Sequence, residues 1–153
     1  MEVADEQGAV VVDVGHLAAL AQAVLVDRGV GIGVLALSFV DEEAMADLNE
    51  RFLEGVGPTD VLAFPLDWPL GAETSVEALG DVPVLLGDVV VCPAVAERNA
   101  SAQSVSADDE LALLVVHGVL HVLGMDHADP DEAAAMQAVE RNELSHFHRP
   151  DGT

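Results

Sequence analysis

Leu111-Ala112-Leu113-Leu114-Val115-Val116-His117-Gly118-Val119-Leu120-His121-Val122-Leu123-Gly124-Met125-Asp126-His127 is the stretch on which the reading of this chain turns. From Leu111 to Leu123 apolar side chains point almost all round a helical projection, the pattern of a helix that runs through a core. Ser106 stands ahead of it as an N-cap, and Gly124 behind it is placed to end it in a left-handed turn. A helix buried on most sides needs other elements to cover it, and the rest of the chain supplies them in alternation. Ala9 to Val14 reads as a strand, Leu17 to Val26 as an amphipathic helix with Leu17, Leu20, Ala21 and Leu25 on one side, and Gly31 to Val40 as a second strand. Asp41 caps a helix that carries Glu42 and Glu43 in its first turn and Met45, Leu48 and Phe52 at helical spacing, ending near Gly55. Val61-Leu62-Ala63-Phe64 is a short strand closed by Pro65, and a polar loop runs from Asp67 to Asp81. Val82 to Val91 is a further strand, and Pro93 opens a helix to about Ala100. Asp129-Pro130-Asp131-Glu132 opens the last helix, which reaches roughly Leu144. The expectation is a single compact α/β (α+β) domain over residues 1–153, a small mixed sheet packed with about five helices, and a three-histidine site at the end of the buried helix.

Composition narrows the function. With 5 basic and 28 acidic side chains the formal charge is −23, and there is no lysine, so the basic footprint of an ordinary nucleic-acid binder is missing. An acidic, lysine-free surface also suits a salty cytoplasm, where short screening lengths relieve self-repulsion. Apolar residues make up 51% of the chain, enough for a core, yet no apolar run approaches the roughly 18–20 residues of a membrane span. The acidic start Met1-Glu2-Val3-Ala4-Asp5-Glu6 is unlike a secretory signal, so a cytoplasmic location is expected. Cys92 is the one cysteine, which leaves His, Asp and Glu to hold any metal; at the end of a buried strand it is expected to be inert packing.

His117 and His121 lie four residues apart, one turn above the other on one helical face. If the chain reverses at Gly124, His127 comes back toward them. Three neutral imidazole nitrogens with an open fourth position are the ligand set of a catalytic rather than a structural zinc, and Asp126 is placed to orient one ring. Two histidines in a nearly all-apolar helix are hard to satisfy otherwise. The spacing is similar to that of metzincin proteases, but Gly118 stands where those enzymes carry a glutamate, so peptide hydrolysis lacks its general base. His16, His146 and His148 have no such context, the last two lying near an exposed C-terminus.

The segment His117 to His127 resembles the signature of the YbeY family, the bacterial endoribonucleases of rRNA maturation. Leu48-Asn49, followed by Pro58-Thr59-Asp60-Val61-Leu62-Ala63-Phe64-Pro65, is similar to the family's LN and PTDVLSFP elements, with Ala63 for the usual serine. Leu86-Gly87-Asp88-Val89-Val90-Val91-Cys92-Pro93 resembles its LGDI-type strand leading into a helix. The likeness runs from about Val34 to Leu144. It implies one Zn2+ per chain held by His117, His121 and His127, and zinc-dependent cleavage of single-stranded RNA. It also implies partners: single-stranded rRNA and the ribosome, chiefly the small subunit, for rRNA end processing and quality control, with no DNA and no membrane. Two positions depart from the family pattern. Leu53 follows Phe52 where the family commonly has an arginine lining its RNA cleft, and Met125 replaces a frequent tyrosine.

Asp60 and Asp126 are the candidate catalytic carboxylates. Asp60, Asp88 and Thr59 are equally well read as turn residues that satisfy backbone N–H groups. Asp108-Asp109-Glu110 reads as a solvated helix N-terminus. A competing expectation, favoured by the charge and by Leu53, is a ribosome-assembly or protein-binding factor whose metal is structural.

Overall fold

The computed structural model describes residues 2–30, 33–53, 55–65, 84–125 and 129–148. Among these, the elements in chain order are β1 (Glu2–Glu6), α1 (Val14–Asp27), β2 (Gly33–Val40), α2 (Glu42–Leu53), β3 (Val61–Pro65), β4 (Val84–Val91), α3 (Pro93–Gln103), α4 (Ala107–Val122) and α5 (Pro130–Phe147). The strands form one sheet in the order β1-β2-β4-β3, with β1, β2 and β4 parallel and β3 antiparallel to β4. The expected mixed sheet with five helices is therefore present.

The caps predicted from sequence make the bonds expected of them. Asp41 Oδ1 accepts from the Ala44 N–H at 2.8 Å, Ser106 Oγ from Asp109 at 3.0 Å, and Asp129 Oδ1 from Glu132 at 2.8 Å. Gly124 takes φ +101°, and around it the Gly124 N–H bonds His121 O and the Met125 N–H bonds Leu120 O, closing the end of α4.

Alternation along the strands divides the core in two. Leu35, Leu37, Phe39, Val89 and Val91 face α1 and α4, whereas Val40, Leu62 and Val90 form a smaller cluster with Met45 of α2 and Cys92. Burial pushes the Cys92 thiol up, in keeping with a packing role. α4 lies against β3 and β4 at Gly118, where a Cβ would stand 2.6 Å from Val89 Cγ1 and 3.5 Å from Val61 Cγ2. Val89 is fully buried. The residue that breaks the protease pattern is thus the one that lets the central helix approach the sheet. Gly118→Ala is expected to cost about 1–3 kcal/mol in chemical denaturation through this overpacking; a loss under ~0.3 kcal/mol would mean the helix rides clear of Val89.

Two expectations at the N-terminus are corrected. Ala9 to Val14 is not a strand: Gln7 Oε1 accepts from the Ala9 and Val10 N–H groups, Val11 is 97% exposed, and Asp13 caps α1, which begins three residues earlier than expected. The strand is instead Glu2–Glu6, an edge strand whose charges point to solvent. His148 is also less exposed than expected. Its side chain is 7% exposed, with Nε2 2.8 Å from Asp109 Oδ1 and Nδ1 2.8 Å from His16 Nε2. This chain of polar contacts ties the end of α5 to the starts of α4 and α1.

Candidate functional site

His117 and His121 project from one side of α4, their ring centroids 6.1 Å apart and their planes 34° from parallel. His117 Nδ1 is 2.5 Å from Glu140 Oε1 of α5, with the two side chains 29% and 9% exposed. His121 Nδ1 is 2.8 Å from the Met125 carbonyl. A carbonyl oxygen and a carboxylate can only accept, so each ring donates its Nδ1–H, and in the neutral imidazole that tautomer leaves Nε2 as the acceptor nitrogen. The turn at Gly124 has a second effect here, because it aims the Met125 carbonyl back at His121. Two imidazoles on one helical face, each held through Nδ1, are a donor set that suits a late first-row divalent ion, zinc among them.

His127 and Asp126 lie outside the described residues, and among those described no group of three metal-capable side chains comes together. Asp60 opens β3: its Oδ1 accepts from the Val61 N–H at 2.8 Å and the Thr59 hydroxyl at 3.4 Å, and its Oδ2 accepts from Asn99 Nδ2 at 3.2 Å. Its charge, after burial, helps push the Glu110 carboxyl up, which places Asp60 toward the N-terminal half of α4. Asp88 sits half-buried in β4, in register with Ala36 and Phe64. Phe52 and Leu53 end α2 on the sheet face opposite α4; both are exposed, and Phe52 meets Phe64 edge-on at 5.7 Å. Arg51 pairs with Asp47 one turn back.

Glu140 is the residue that the sequence reading missed. Met136, Glu140 and Glu143 fall at helical spacing on the buried face of α5. A carboxylate on an inward stripe demands a partner, and that was the available signal.

Fold and site together define a single α/β domain whose central helix presents a histidine-based candidate metal centre. The chain belongs to the endoribonuclease YbeY family, whose model matches residues 2–148. It is similar to the endoribonuclease YbeY of Salinispora tropica, 45% identical over 153 residues that cover 95% of this chain and 94% of that one. The corresponding protein of Thermobifida fusca is 43% identical, covering 97% of this chain and 94% of its own. The solution structure of TM1509 from Thermotoga maritima superposes with a TM-score of 0.60 at 25% identity, over 96% of this chain and 91% of that one. Among the described residues no helix is long and apolar enough to cross a membrane.

Proposed function

We propose that this chain is a zinc-dependent, single-strand-specific endoribonuclease of the cytoplasm that acts on rRNA, chiefly at small-subunit rRNA ends, with a part in ribosome quality control. The observation that carries the reading is the pairing of His117 and His121 on one face with both Nδ1 atoms engaged by acceptors. Membership of an endoribonuclease family supports RNA as the substrate. His127 is the proposed third ligand, with Asp126 beside it to orient a ring. His117, His121 and His127 would hold the divalent ion, which when bound would supply positive charge for the phosphodiester oxygens and lower the pKa of water. The chain's own part is to hold the rings: α4 sets their spacing, Glu140 and the Met125 carbonyl set their tautomers, and Asp60 with Asn99 braces the start of β3. The exposed Leu53 and the −23 charge favour the assembly-factor reading as the alternative.

Chelation tests the ion directly. A metal bound by the folded state alone stabilises it by about 2.7 kcal/mol at 100 times its dissociation constant. The melting temperature is therefore expected to fall on treatment with a strong chelator and to recover with zinc, while cleavage of a single-stranded rRNA fragment is lost and regained in step. An unchanged melting temperature and unchanged cleavage would overturn the zinc reading. Cleavage lost on chelation would separate the enzyme from the assembly factor, for which only stability should respond.

A further inference from the structure

We infer that Glu140 is a positioning residue: it fixes His117 as the Nδ1–H tautomer and makes His117 Nε2 the stronger donor of the two histidines on α4. The inference rests on the metal reading above only for the consequence at the ion; the hold on the ring stands by itself.

The contact is specific in its geometry. Glu140 Oε1 lies within hydrogen-bonding distance of His117 Nδ1, a charged acceptor facing an N–H donor, and the carboxylate side chain is 9% exposed. Burying a carboxylate on the inner face of α5 is costly, and an apolar side chain of similar size would serve packing against α4 at least as well. The residue is understandable once its effect on His117 is counted. A charged acceptor on Nδ1–H draws that proton toward itself and leaves more electron density on Nε2. His121, the other imidazole, gives its Nδ1–H to a neutral carbonyl and gains less. The two rings look equivalent from their spacing on α4, and the elements packed against them make them unequal.

The neighbouring turn of α5 supplies an internal comparison. Glu143 is also buried on this helix, yet it faces Asp27 at the end of α1 and not the histidines. Loss of a buried carboxylate from α5 can therefore be separated from loss of this contact.

The test uses the full chain with Glu140→Ala, Glu140→Gln and Glu143→Gln. In the metal-free protein at pH 8, 15N chemical shifts of the His117 ring are expected to report Nδ1–H in the wild type and a shift toward Nε2–H in Glu140→Ala. Zinc affinity, read by competition with a chromophoric chelator, is expected to weaken about 10–100-fold in Glu140→Ala. Glu140→Gln should recover part of the loss, because its amide oxygen accepts the same N–H without the charge, and Glu143→Gln should bind zinc as the wild type does. A folded Glu140→Ala with the wild-type tautomer and affinity would overturn the inference, as would an equal loss in Glu143→Gln. If Glu140→Ala does not fold, Glu140→Gln carries the comparison, and an affinity equal to that of the wild type then counts against the role of the charge. Failure of every variant to bind zinc would sink the metal reading, while the tautomer still decides whether Glu140 holds the ring.

Discussion

Replacing His117 by alanine is expected to lower cleavage of a single-stranded rRNA fragment at least ~100-fold relative to wild type purified in the same way. The magnitude follows from the position of the residue: changes to groups that merely orient a metal ligand cost about 10–100-fold, and His117 is itself the proposed ligand. The substitution is well suited to the purpose because the ring is 29% exposed and is not wedged into the sheet as Gly118 is, so the fold is expected to survive. It leaves Glu140 without its histidine, a moderate stability cost that a melting curve will register separately. Ionic strength adds a second dimension. A chain of formal charge −23 repels a polyanion, and raising salt from 0.1 M to 1 M shortens the screening length from about 10 Å to about 3 Å. Binding through phosphate contacts would weaken over the same range. Cleavage that holds or rises with salt, and only in the wild type, is the expected pattern. Equal cleavage by both proteins would assign the activity to a contaminant and leave the assembly-factor reading standing.

What could be read from the sequence was what local chemistry decides. Ser106, Asp41 and Asp129 are N-caps because a short side-chain oxygen followed by an acidic first turn satisfies backbone donors within three residues. His117 and His121 share a face because helical periodicity puts them there. β1 was not legible: Glu2-Val3-Ala4-Asp5-Glu6 carries the charges of a loop, and it is a strand because Glu2 to Glu6 pair in parallel with Ala36 to Val40 at a sheet edge. Apolar, β-branched content misleads in the opposite direction at Val10, Val11 and Val12, where the Gln7 amide organises a turn instead. Glu140 reaches His117 across 23 positions and His16 reaches His148 across 132, contacts fixed by how α5 packs on α4 and α1. Local rules have no purchase on such pairs, which is why the shared face of His117 and His121 was legible and the carboxylate bonded to His117 was not.

Glu143→Gln is expected to stabilise the protein above neutral pH, by up to about 3 kcal/mol at pH 8. Glu143 is 1% exposed, and among the described residues neither of its carboxyl oxygens finds a hydrogen-bond donor. The group across from it is the Asp27 carboxyl, so a bond between the two needs a proton on one of them. Both also lie toward C-terminal helix ends, where the backbone dipole disfavours negative charge. Burial first, then the hydrogen bond and charge of Asp27, push the Glu143 carboxyl up from 4.5 to about 7, against weaker opposing effects of Arg28 and His146. A carboxyl whose folded pKa is raised holds its proton more tightly in the native state. Its contribution to stability is therefore complete below about 4.5 and is lost as pH rises through about 7, an interval worth about 3 kcal/mol. Glutamine carries no charge at any pH in this range, and its amide can donate to Asp27. Urea denaturation across pH 5 to 8.5 should show the wild type losing stability toward the alkaline end while Glu143→Gln stays nearly flat, with the two curves converging as pH falls toward 4.5. Parallel curves would mean that Glu143 is solvated or compensated in the native state. Because Glu143 faces α1 and Glu140 faces His117, the same substitution should leave zinc affinity unchanged, so the stability of α5 and the chemistry of α4 can be tuned independently from one helix.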